Sequence, residues 1–201
     1  MSDDLNFDLS YVDWFRHSSP YINAHRDKTF VIFIPGEAAE SAQFSNIISD
    51  LALMDSLGIR LVIVHGARSQ INRIFAREQL SSKLHNACRI TPQEQLLPII
   101  QASAGVRVQI EAQLSMALAN TPMAGTRLKI CSGNHVIARP LGVVDGIDFG
   151  HSGEVRRIDA DAINMLLNND NMVLLSHLGY SPTGEVFNLK GEEVATQAAI
   201  Q

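Results

Sequence analysis

The chain has 201 residues, of which 46% are hydrophobic and 18% charged, which is material for one sizeable globular domain with a substantial core. A net charge of −5 and the lack of any Lys/Arg run speak against a nucleic-acid surface. No apolar run approaches the roughly 20 residues that span a bilayer.

The first residues, MSDDLNFDLS, are acidic and lack the basic start and apolar stretch of a secretory signal, so a cytoplasmic location is expected. Residues 1–25 read as an N-terminal arm helix. Tyr11, Trp14 and Phe15 recur at helical spacing, and Pro20 is expected to end or bend the helix. An apolar stripe on such an arm calls for a surface to pack on, either the domain itself or another subunit.

Residues 26–201 read as the domain proper. TFVIFIPG is an apolar β run that stops at Pro35-Gly36. FSNIISDLALMDSLG has helical apolar spacing and a stop at Gly58. RLVIVHG is a second buried strand, and SQINRIFAREQL is the helix after it. Apolar strands joined by a helix predict a parallel, right-handed βαβ unit. Thr91-Pro92 opens a long helix expected to run to about Asn120, with a break near Gly105. RLKICSG, HVIARPLG and EVRRI suggest a β-meander. Asp159 is placed to cap DADAINMLLNND. NMVLLSHLG and EVFNL are a third and fourth strand, and EEVATQAAIQ is a helix with which the domain looks cut short.

Cys88 and Cys131 have no Cys-x-x-Cys spacing and read as reduced thiols. The seven histidines are scattered without metal-ligand spacing, so no metal is expected. Two strand ends carry glycine, at Pro35-Gly36-Glu37 and His65-Gly66-Ala67-Arg68. Ligands of open α/β sheets bind outside such strand ends, where glycine lets the backbone approach an anion. Taken singly, each glycine also fits an ordinary strand-to-helix turn, which is the commoner use.

The order of strand, glycine loop, helix, strand and His-Gly loop, followed by Arg89, Thr91 and Pro92, resembles the amino acid kinase superfamily. GHSGEVRRIDADAI and FNLKGEEVATQAAI extend the resemblance to the last residue. Within the superfamily the likeness is to acetylglutamate kinases and to the kinase-like domain of bacterial N-acetylglutamate synthases. FRHSSPYINAHRDKTFVI and PLGVVDGIDFGHSGEVRRID favour the latter. The resemblance implies a three-layer α/β/α sandwich on a mainly parallel sheet, incomplete at its C-terminus and without the acetyltransferase domain.

The resemblance also assigns positions, several of which depart from the kinase pattern. Phe33 stands where active kinases carry the lysine that neutralises the transferring phosphate, and Pro35 precedes Gly36 where a glycine pair is usual. His65-Gly66-Ala67-Arg68 replaces His-Gly-Gly-Gly, and Glu192 replaces the catalytic aspartate. Phosphoryl transfer rests on positioning and charge stabilisation, and losing one donor costs ~10²–10³ in rate. A kinase-inactive domain is therefore expected.

Arg89 and Asn188 match positions that hold the amino-acid substrate, and they are either working ligands or relics. His17 and Tyr21 match arm positions beside bound L-arginine, the feedback inhibitor of the synthases. The resemblance further implies homo-oligomers with interlaced arms, hexamers among them. It implies no cofactor in this chain and no catalytic residue for acetyl transfer, acetyl-CoA being a substrate of the missing domain. Two alternatives stay open, an active acetylglutamate kinase and a stand-alone amino-acid sensor.

Overall fold

The structure is a computed structural model and describes residues 2–116 and 128–201, with residues 2–9 as backbone alone. In chain order its elements are α1 (Ser2–His25), β1 (Thr29–Ile34), α2 (Gly36–Ala39), α3 (Phe44–Ser56), β2 (Arg60–His65), α4 (Arg68–Arg77), β3 (Lys83–His85), β4 (Cys88–Ile90) and α5 (Gln93–Met116). Then come β5 (Ile130–Ser132), β6 (Val136–Pro140), β7 (Val143–Val144), β8 (Ile147–Asp148), β9 (Gly153–Ile158), α6 (Ala160–Leu167), β10 (Met172–Ser176), β11 (Leu178–Tyr180), β12 (Val186–Asn188) and α7 (Gly191–Ile200).

The main sheet is parallel throughout, in the order β1-β2-β10-β5. Alternation along β2 and β10 explains the three layers. Leu61, Ile63, Met172 and Leu174 face one core, shared with Ile48 and Leu51 of α3, Ile71 and Phe75 of α4, and Ile99 and Ile110 of α5. Val62, Val64, Val173 and Leu175 face the other, with Ile163 and Leu167 of α6 and Val194 of α7. Both faces are covered, so the strands read as unbroken apolar runs. Each aliphatic side chain buried this way contributes about 1.5–3 kcal/mol.

Local signals set the element ends. Gly58, at φ +83°, takes the left-handed position that ends α3. Asp159 Oδ1 accepts from Ala162 N at 3.3 Å and caps α6 as expected. Cys88 and Cys131 are free thiols.

Four expectations need correction. α1 does not end at Pro20 but runs through it to His25. Proline removes one intrahelical bond, to Arg16, and Arg16 lies exposed where water can replace the donor. α5 continues through Gly105, because Ala102, Val106 and Ile110 around it are buried. That burial outweighs a glycine cost of about 1 kcal/mol. The segment expected as a meander divides: β5 joins the parallel sheet beside β10, while β6 and β9 pair antiparallel in a second sheet. EVFNL belongs to that second sheet, ordered β12-β11-β6-β9, and is not a further strand of the first. Both Asn120, where the long helix was expected to end, and Arg127 lie outside the described residues.

α7 lays Val194 into the second core against the β1 and β2 side of the sheet. Among the described residues no helix is long and apolar enough to cross a membrane.

Candidate functional site

A cavity of about 350 Å³ opens at the carboxyl ends of β1 and β2, where a parallel sheet exposes its loops to ligands. Its walls come from five stretches: the loop after β1, the loop after β2, the β3–β4 hairpin, His177 between β10 and β11, and the turn from β12 into α7. Phe33, Gly36, Gly66, Arg68, Arg89, Asn188 and Glu192 all line it, so the fold gathers seven of the eight kinase-like positions from distant parts of the chain. The eighth, His65, is fully buried at the end of β2 and does not reach the cavity wall.

Phe33 is wedged between two backbones. A Cβ placed on Gly66 would stand 3.4 Å from its ring, and one on Gly191 would stand 2.6 Å away. Those two glycines make room for an aromatic ring at residue 33. The loops beside it are tied together: Gly66 N donates to Ile34 O at 2.9 Å, and Gln70 Nε2 donates to Gly36 O at 2.8 Å.

Arg89 is half-buried and its hydrogen-bond partners are neutral. It donates to Ser82 Oγ, and to Asn72 Oδ1 at 2.7 Å, while its guanidinium lies 5.1 Å from the centre of the Phe75 ring. Burial, and then the charge of Arg68, pull its pKa below the usual arginine range. A cation held without a carboxylate partner favours an anion in the cavity.

Asn188 is buried, and its Nδ2 donates to Thr91 Oγ1 at 3.0 Å. One of its two amide N–H groups is thus engaged with the residue that follows β4. Glu192 is exposed in the first turn of α7.

Sequence reading passed over Lys190, Cys88 and His177, which also line the cavity. Lys190 sits between Asn188 and Glu192 in the wall. Burial pushes the Cys88 thiol up, with Lys190 partly opposing. His177 follows β10 and lies with its ring centre 6.3 Å from that of His65. Its ring approaches the His65 carbonyl without a well-formed hydrogen bond on either nitrogen. Burial above all lowers His65 to about 4 and His177 to about 3, so both are neutral near pH 7. A motif scan favours glycine loops, and an isolated histidine after a strand carries no pattern to find.

His17 and Tyr21 stand apart from this cavity. They are four residues apart and exposed on α1, so one helix face presents both. Among the described residues no group of three or more His, Cys, Asp or Glu is placed to hold a metal ion.

Residues 28–201 match the model of the amino acid kinase family. An amino-acid acetyltransferase of Pseudomonas fluorescens (strain Pf0-1) is 54% identical over 190 residues, which is 94% of this chain and 44% of that protein. One of Pseudomonas syringae pv. tomato is 55% identical over the same shares. The chain thus spans less than half the length of the curated relatives it matches. N-acetylglutamate synthase from Neisseria gonorrhoeae, solved with coenzyme A and L-arginine, superposes with a TM-score of 0.84 at 32% identity, over 94% of this chain and 45% of that one. Carbamate kinase from Giardia lamblia, 12% identical with a TM-score of 0.57, shares the fold alone. With the family's model matched from residue 28 to the last residue, and its sheet and strand-end loops in place, this chain belongs to the amino acid kinase family.

Proposed function

We propose that this chain is the arginine-sensing, kinase-inactive part of an N-acetylglutamate synthase, the enzyme that moves an acetyl group from acetyl-CoA to L-glutamate in the first step of arginine biosynthesis. The observation that carries the reading is Phe33, an aromatic ring packed against Gly66 and Gly191 where phosphoryl transfer needs a positive charge. Support comes from relatives named as amino-acid acetyltransferases and from an N-acetylglutamate synthase solved with L-arginine bound. Acetyl transfer would belong to the part of those relatives that this chain does not span, so no catalytic residue is assigned here. A cytoplasmic location accords with this metabolic role.

Tyr21 and His17 are the arginine contacts in this reading. An exposed phenol face stacks on a planar guanidinium, and the imidazole adds a hydrogen bond. Tyr11, Trp14 and Phe15 are each more than half exposed on the same helix, which supports arms that dock on other subunits in a ring such as a hexamer. Arginine would then act by favouring one arrangement of subunits over another. The test is acetyl transfer by the full-length enzyme with and without arginine. Tyr21→Ala is expected to raise the inhibitory arginine concentration about tenfold, and unchanged inhibition refutes the assignment. Sedimentation of the full-length enzyme as a monomer at all concentrations removes the ring.

Lys190 at the cavity wall is an observation in favour of the second reading, an active acetylglutamate kinase. Turnover of ATP with N-acetylglutamate at rates usual for kinases, lost on Lys190→Ala, would establish it.

A further inference from the structure

α1 joins β1 through a short elbow, residues 26–28. Asp27 sits there at φ +62°, in the left-handed region, which aspartate tolerates better than most residues. The elbow lies against the turn between α3 and β2. Asp27 N donates to Gly58 O at 2.8 Å, and Arg60 N donates to Lys28 O at 2.9 Å. The Arg26 side chain passes close to Gly58, where a Cβ would stand 3.2 Å from Arg26 Cγ. Spanning the elbow, the His25 ring stands edge-on to Phe30 of β1, with centres 5.5 Å apart.

One side chain joins these pieces to the rest of the domain. Arg60 opens β2, and its guanidinium holds two acceptors at once. Nη2 donates to Asp27 O at 2.8 Å, and Nη1 donates to Asn168 Oδ1, just after α6, at 3.1 Å. A planar guanidinium carries its donors in a fixed fork, so two such bonds set an angle as well as a distance. Asp27 is thus bonded through its N–H to Gly58 and through its carbonyl to Arg60. Turning α1 about Asp27 would strain both bonds.

We propose that Arg60 is a positioning residue for the N-terminal arm, setting the direction in which α1 leaves the sheet and so where His17 and Tyr21 are presented. It acts through the helix, since its bonds go to Asp27 and Asn168. That the direction tunes a response to arginine rests on arginine sensing by Tyr21 and His17; the fixed elbow does not. An arm that keeps the binding direction for only about a half to a fifth of the time raises the arginine concentration needed by about two- to fivefold.

The direction of the arm is read by pulsed electron spin resonance on this chain, with Cys88 and Cys131 changed to serine. Nitroxides are attached at Val12→Cys on α1 and Asp50→Cys on α3, both exposed, and the labelled chain is diluted in unlabelled chain so that only pairs within one molecule count. Arg60→Ala is expected to widen the distance distribution about twofold, by local loosening without unfolding. Arg60→Lys is expected to fall between parent and alanine, because one ammonium cannot span both acceptors. Arg139→Ala, which breaks the pair with Glu154 instead, is expected to leave the width unchanged. Should Arg60→Ala fail to fold, Asn168→Ala at the exposed far anchor carries the test, with a widening expected. An unchanged width in the variant that carries the test overturns the proposal, as does an equal widening in Arg139→Ala. In the full-length enzyme, Arg60→Ala is expected to raise the inhibitory arginine concentration about two- to fivefold while acetyl transfer without arginine is unchanged. Unchanged inhibition in Arg60→Ala, alongside weakened inhibition in Tyr21→Ala, overturns the positioning role. Unchanged inhibition in both, with a widened distribution, sinks arginine sensing and leaves the elbow standing.

Discussion

Asn188 at the end of β12 and Thr91 after β4 are 97 residues apart in sequence and joined by a 3.0 Å hydrogen bond, Nδ2 to Oγ1. Ser152 Oγ meets the same Thr91 hydroxyl at 3.0 Å and also bonds to the Arg89 carbonyl. This buried knot ties β4 to the second sheet and the turn into α7, and so fixes two walls of the cavity, the β3–β4 hairpin and that turn. Asn188→Ala strips one partner from a buried hydroxyl and is expected to cost about 1–3 kcal/mol. A urea midpoint that falls with an unchanged slope would show it.

The two buried histidines make stability depend on pH. His65 is lowered to about 4 and His177 to about 3, so the folded state holds both neutral where an unfolded chain would protonate them near 6.5. The unfolded state therefore binds more protons in this window. Stability is full above about pH 6.5. It falls as pH drops through 6.5 towards 4 for His65, and towards 3 for His177, after which their effect levels off. His177→Phe removes one titrating group of similar size. The difference in unfolding free energy between parent and variant, followed from pH 7.5 to pH 4, is expected to shift in favour of the variant as pH falls.

Phe33 and Gly191 constrain each other. Gly191→Ala places a methyl 2.6 Å from the ring, an overpacking expected to cost about 1–3 kcal/mol. Phe33→Leu should relieve part of that cost, so a double-mutant cycle on thermal unfolding is expected to give a favourable coupling. Strict additivity would place the ring elsewhere.

Ala87 holds a φ of 58° in the β3–β4 turn, where a β-carbon is strained. Ala87→Gly is expected to stabilise the chain by up to about 1 kcal/mol. A raised melting temperature checks it.

The elements whose burial follows a simple period were readable in advance. β2 is buried on both faces and reads as an apolar run. α3 ends at a glycine with positive φ, and Asp159 caps the helix that follows it. What misled were residues whose local preference lost to context. Pro20 sits in an exposed helix where water can replace the lost bond, and Gly105 sits among residues whose burial outweighs its flexibility. The pairing of the second sheet was not legible: HVIARPLG, EVRRI and EVFNL read as strands, but which partner each takes depends on long-range contacts and not on its own sequence. In the cavity, the glycine loops were visible from spacing. Cys88, Lys190 and His177 were not, since their role depends only on what the fold brings next to them.

The slot that Phe33 fills has a consequence for how this surface can change over time. A lysine at residue 33 would ask a flexible, charged chain to occupy a gap shaped for a flat ring against two backbones. That single replacement would lower the population of folded molecules, so a cation at residue 33 would need coordinated replacements around residues 66 and 191. The aromatic ring thus acts as a ratchet, tying what residue 33 can become to the two glycines that flank it.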